Sequence, residues 1–116
     1  MITHSELVAN LVKPGGEILK TLTPEKCHLL HMVLGIAGEA GELVDAIKKH
    51  VIYDQDLDLD NVVEELGDLQ FYMEGLCQGI DQPKEYCMTR NIHKLQKRYE
   101  NGYSDKAAKD RVDKKE

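Results

Sequence analysis

GIAGEAGELVDAIKKH (residues 35–50) and NVVEELGDLQFYM (residues 61–73) are the two stretches whose periodicity decides the fold. In the first, Ile36, Ala40, Leu43 and Ile47 recur every three or four positions, and Leu29 and Val33 carry the same spacing backwards. That is the signature of an amphipathic helix. Thr23 followed by Pro24 supplies an N-cap and a proline at the first helical position, so this helix is expected over residues 24–50. In the second stretch Val62, Leu66, Leu69, Met73, Leu76 and Ile80 restore the period after an acidic, turn-forming run at residues 54–60, predicting a helix over residues 60–79. Pro83 opens a further helix carrying Tyr86, Ile92, Leu95 and Tyr99, which Asn101-Gly102 closes. Upstream, a short helix over residues 5–12 ends at Lys13-Pro14-Gly15-Gly16. Nothing reads as a strand. The expected fold is all-α, a four-helix bundle-like chain forming one domain over residues 1–104, with a charged tail over residues 105–116.

Composition narrows the functions. At 116 residues and 13.2 kDa the chain suits a single core. No apolar run approaches the roughly 20 residues that span a bilayer, and the N-terminus lacks a basic region followed by an apolar one, so membrane and export roles are not expected. Lys and Arg number 15 against 21 Asp and Glu, a net charge of -6 that argues against gripping a nucleic-acid backbone. Cys27, Cys77 and Cys87 show neither a CxxC nor a zinc spacing, and are read as reduced, packing thiols of a cytoplasmic protein.

Against that background two acid pairs stand out, Glu39-x-x-Glu42 and Glu65-x-x-Asp68. Residues three apart on a helix are neighbours. Advancing about 100° per residue puts both pairs on the same rotational flank of their apolar stripes. Same-hand flanks meet on one side of a helix pair only when the helices are antiparallel, which the short connection at residues 51–59 favours. Four carboxylates then converge on one patch, where they repel and raise one another's pKa values unless divalent cations neutralise them. Hard oxygen ligands suit Mg²⁺, with Mn²⁺ as a possible substitute. Small residues Gly35, Gly38 and Ala46 beside them are expected to leave room for a ligand. The competing reading of each pair alone is a solvated helix surface.

"GIAGEAGELVDAIKK", "NVVEELGDLQFYM" and "NIHKLQKRY" together resemble the MazG-like all-α nucleoside triphosphate pyrophosphohydrolases, and "GYSDKAAKDR" looks like the tail of their short phage and bacterial members. The resemblance puts Glu39, Glu42, Glu65 and Asp68 in the metal-binding places and matches Asn91, Lys94, Arg98 and Tyr99 to the family's basic helix. It implies Mg²⁺-dependent hydrolysis of a nucleoside triphosphate, a deoxynucleotide first, to the monophosphate and pyrophosphate, serving nucleotide-pool control. Lys94 and Arg98, spaced i, i+4, then suit phosphate oxygens, with Asn91 beside them. Catalysis of this kind rests on positioning and charge stabilisation. A water held by the cations is the expected nucleophile, and Glu39 or Glu64 can take its proton. Glu64 stands where the family often has an acid, whereas Gly38 stands where larger members often carry a second one, so the general base stays open. Tyr72, one turn beyond Asp68, is placed to stack on a base or to pack. His31 is placed to line the nucleoside pocket or to make an interfacial hydrogen bond.

Three other readings compete. Asp54, Asp56, Asp58 and Glu65 occupy positions 1, 3, 5 and 12 of a calcium loop, but Leu59 stands where its sharp turn needs Gly. A di-iron bundle needs two Glu-x-x-His repeats, and only Glu25-x-x-His28 exists. The serious alternative is a non-catalytic helical nucleotide-binding or protein-interaction module. Within the enzyme class, the sister activity on phosphoribosyl-ATP is also open. Apolar faces that one short chain can barely cover predict association. The resemblance implies a homodimer or homotetramer, in which Lys94 or Arg98 acts on the neighbouring subunit's site.

Overall fold

The computed structural model describes residues 1–115. Six α-helices follow one another: α1 (His4–Leu11), α2 (Gly15–Thr21), α3 (Pro24–Val51), α4 (Leu59–Gly79), α5 (Lys84–Arg98) and α6 (Asp105–Asp110). A single 3-10 turn, Val112–Lys114, comes last, and there is no strand among the described residues. The chain is all-α.

Local chemistry starts and stops these helices. Thr23 accepts the Lys26 amide proton at 3.2 Å ahead of Pro24, while Lys48, Lys49 and His50 occupy the last turn of α3, where the helix dipole favours cations. The Asp58 carboxylate caps α4 by accepting from the Asn61 amide at 3.1 Å. That use of Asp58, with Glu65 drawn to the other helix, leaves no calcium loop. Between α3 and α4 the His50 Nδ1–H donates to the Gln55 carbonyl at 2.7 Å, pinning the turn.

Two helices were not expected. The sequence read Pro14-Gly15-Gly16 as a breaker, but Pro14 sits in extended conformation at the N-cap and α2 starts directly after it. In the tail, Ser104 accepts from the Ala107 amide at 3.0 Å and nucleates α6.

α3 and α4 form the body as an antiparallel hairpin. Gly35 meets Tyr72, Met32 meets Gly75, and His28 meets Gly79, so contacts descend one helix as they climb the other. His28 Nε2–H also donates to the Gly75 carbonyl at 2.8 Å. The contact face overlaps the apolar stripe that periodicity singles out, leaving Leu29, Ile36, Ala40, Leu43, Val62, Leu69 and Leu76 half-buried, but it is turned toward the acids. Its buried members are Met32, Ala46 and Glu65, and the half-buried ones include Gly35, Glu39, Asp68 and Tyr72. Small residues are the reason: at Gly35, Gly75 and Gly79 the opposite helix fills the space a Cβ would take, so the backbones approach on the acidic side. The bulky Val33, Val44, Val63, Leu66, Phe71 and Met73 are left exposed.

α5 lies loosely along α4 and packs mainly on the 3-10 turn, and α1 and α2 bury nothing. The accessible surface is 9636 Å², against about 6,400 Å² for a folded monomer of this mass. The radius of gyration is 20.1 Å, against about 13 Å for a compact chain of this length.

Candidate metal centre

Glu39 projects from α3, and Glu65 and Asp68 project one turn apart from α4. Each offers a carboxylate oxygen, and these three atoms lie within 4.8 Å of one another. Glu65 is 9% exposed and, taken as a whole residue, the only charged one buried among those described. Its Oε2 is sealed from solvent and has no hydrogen-bond partner. In the ionised state nothing donates to it. Once protonated, Glu65 can hydrogen-bond Glu39, the largest of the causes that push its carboxyl up to about 7; burial comes next, followed by the charges of Glu39, Asp68 and Glu42.

A buried, orphaned carboxylate oxygen within reach of two further carboxylates is costly as it stands. A divalent cation relieves it, and the all-oxygen donor set fits a hard ion of the Mg²⁺ type. Glu42 is exposed and outside the group of three, although its charge is felt at Glu65. Glu64 is exposed too, turned about 100° from Glu65 on the α4 surface. Among the described residues no other cluster of three possible ligands forms.

Tyr72 lies one turn beyond Asp68 and is half-buried, its ring laid on Gly35. The space expected beside Gly35 for a ligand is therefore filled by this ring, and Ala46 is buried as well. Only Gly38, with nothing within 4 Å of where a Cβ would stand, keeps open room. His31 meets the Tyr72 ring edge-on, centroids 6.2 Å apart, and Phe71 does so at 5.1 Å. His31 and Tyr72 thus come together on the α3–α4 hairpin, Tyr72 about one turn from Asp68 and His31 a little over two turns from Glu39.

The basic residues of α5 are elsewhere. α5 borders α4 along Gln70, Met73 and Cys77. Each of these precedes an α3-facing residue, Tyr72, Gly75 or Gly79, by two positions, or about 200° around the helix. Asn91 and Lys94 line a cavity of about 480 Å³ with Arg90, Lys97 and Asp113, and none of Glu39, Glu65 and Asp68 borders it. Arg98 is engaged by the tail: Nε and Nη2 donate to Asp113 Oδ1 and Oδ2 at 2.6 and 3.1 Å. The guanidinium holds the Asp113 carboxyl below the usual carboxylate range. The i, i+4 spacing of Lys94 and Arg98 carried no hint of this pair, because its acid lies 15 residues downstream in a segment with no clear period.

The family described as the MazG nucleotide pyrophosphohydrolase domain matches residues 28–103, which contain both acid pairs, Tyr72 and the basic residues of α5. A relative from Mycobacterium phage L5, named only "Gene 37 protein", is 33% identical over 79 residues, 64% of this chain and 68% of its own. No solved structure matches.

Proposed function

Because the chain belongs to the MazG nucleotide pyrophosphohydrolase domain family, we propose that it hydrolyses nucleoside triphosphates, deoxynucleotides first, to the monophosphate and pyrophosphate with Mg²⁺, in nucleotide-pool control. The observation that carries this reading is the orphaned oxygen of Glu65 beside Glu39 and Asp68. Glu39, Glu65 and Asp68 would hold the cation, with Glu42, exposed on α3 and felt at Glu65, as the fourth carboxylate. Bound there, the cation offsets the charge of acids and triphosphate, polarises a phosphate oxygen and acidifies water. Mn²⁺ satisfies the same oxygen donors.

The chain's own residues do the rest. One water is consumed per turnover: its oxygen bonds to phosphorus as a phosphoanhydride bond breaks, and a carboxylate, Glu39 or Glu64, accepts its proton. His31 and Tyr72 line the nucleoside side of the site, one turn and more from the acids. Phosphate-binding groups come from another copy, Lys94 with Asn91 beside it, a reading supported by the cavities these two line, which Glu39, Glu65 and Asp68 of their own chain do not border. Arg98 joins them on releasing Asp113. A homodimer or homotetramer meets that need and covers the excess apolar surface. The net charge of -6 and the absence of any helix long and apolar enough to cross a membrane, among the described residues, accord with a small-molecule substrate in the cytoplasm rather than a nucleic-acid or membrane partner.

Screening deoxy- and ribonucleoside triphosphates for pyrophosphate release, with and without Mg²⁺, tests the proposal. Release from the wild type should require Mg²⁺ and fall by about 100-fold or more in Asp68→Ala with helicity retained. No release from the wild type with any triphosphate would favour a non-catalytic binding module, and release from phosphoribosyl-ATP alone would favour the sister activity.

A further inference from the structure

Cys77, near the end of α4, and Cys87, in the first turns of α5, are free thiols that line one apolar groove of about 490 Å³ with Met73, Met88 and Ile92. Cys87 is near enough to be felt at the Cys77 thiol, beside the larger effect of burial. Only the turn at residues 80–83 separates the two helices, so this proximity is set by the hairpin. Cys27 is different: it is exposed, near the start of α3, and lies outside this groove. The groove itself is held weakly, for the extensive helix contacts are α3 with α4 and α5 with the 3-10 turn.

We propose that Cys77 and Cys87 are a redox modification site, at which a low-molecular-weight disulfide oxidises the two thiols to an intramolecular disulfide that staples α5 to α4. Cys87 is the exposed thiol, so its thiolate attacks one sulfur of the external disulfide and expels the first thiol. Cys77 is half-buried, and burial with the neighbouring Cys87 pushes its thiol up, so it enters second. Its thiolate attacks the Cys87 sulfur of the mixed disulfide and expels the second thiol. The two cysteines are oxidised, the external disulfide is reduced to two thiols, and the two cysteine protons pass to those products. Disulfides of cytosolic chains are typically transient and redox-sensing, which suits a link across a loosely held groove. The inference does not depend on the hydrolase reading.

The test equilibrates the full chain with oxidised and reduced glutathione at varied ratios, quenches with an alkylating agent, and maps the peptides by mass. The oxidised chain should carry a Cys77–Cys87 link with Cys27 alkylated, and should melt at least about 5 °C higher than the reduced chain. Cys77→Ser should stop at a glutathione adduct on Cys87, whereas Cys27→Ser should still form the link. Cys87 arrested as the adduct in the wild type, pairing with Cys27, or links only between chains would overturn the proposal, and none of these outcomes bears on pyrophosphate release.

Discussion

Glu65 holds its proton because the protonated acid can hydrogen-bond Glu39, because burial disfavours its charge, and because the charges of Glu39, Asp68 and Glu42 disfavour it further. Raising its carboxyl from 4.5 to about 7 has a defined sign for stability. Across that window the folded chain keeps a proton that the unfolded chain has lost, so stability falls as pH rises from about 4.5 to 7 and then levels off. Melting of the metal-free protein should therefore occur at a lower temperature at pH 8 than at pH 5, with Mg²⁺ restoring more at pH 8. Glu65→Gln should flatten both dependences, and equal pH responses in the two proteins would contradict the assignment. Gly35 gives a second test. A methyl there meets the Tyr72 ring, so Gly35→Ala should cost about 1–3 kcal/mol and lower the melting temperature by about 5 °C or more. An unchanged melting curve would mean that the ring is not fixed on α3. The two acid pairs were legible from i, i+3 spacing, and of the four acids that a helical wheel sends to one patch, Glu39, Glu65 and Asp68 meet there while Glu42 stays outside. The burial of Glu65 was not legible, because hydrophobic periodicity assigns contact to apolar residues alone, and here close approach at Gly35, Gly75 and Gly79 turns the contact face toward the acids.

The long helices were legible because their signals agree: apolar period, an N-cap at Thr23, and Pro83 before α5. α2 was missed where two glycines outweighed a favourable Pro14, and α6 where six mostly polar residues carry no readable period. What fixes the tail is a long-range ion pair, with Asp113 and Arg98 side chains 3% and 14% exposed. Asp113 titrates below its ordinary 3.8, so its contribution is complete above about pH 4 and fades as pH falls through the lowered value, while Arg98 stays charged. Asp113→Asn should release the tail at neutral pH, read as loss of amide-exchange protection over residues 105–114 with α3 and α4 unaffected. Full protection in the variant would show that the 3-10 turn docks by other contacts.

On the scale of the whole molecule, the hairpin has an acidic side that closes on itself and an apolar side that does not. About 3,200 Å² of surface beyond that of a compact monomer is of the order that obligate oligomers bury. Size-exclusion chromatography with light scattering should give a dimer or tetramer at micromolar concentration, and Leu66→Asp on the exposed face should reduce it toward monomer. A monomeric wild type would remove the route by which Asn91 and Lys94 reach a site. The sequence showed that surplus of apolar faces, but not which of them would stay open. The account as a whole depends on a cation at Glu39, Glu65 and Asp68. Titrating Mn²⁺ into the protein at pH 7.5, with the free ion followed by electron paramagnetic resonance, tests this directly. Saturable binding by the wild type, weakened at least about 10-fold in Glu65→Gln, is the predicted result; superimposable isotherms for the two proteins would contradict it.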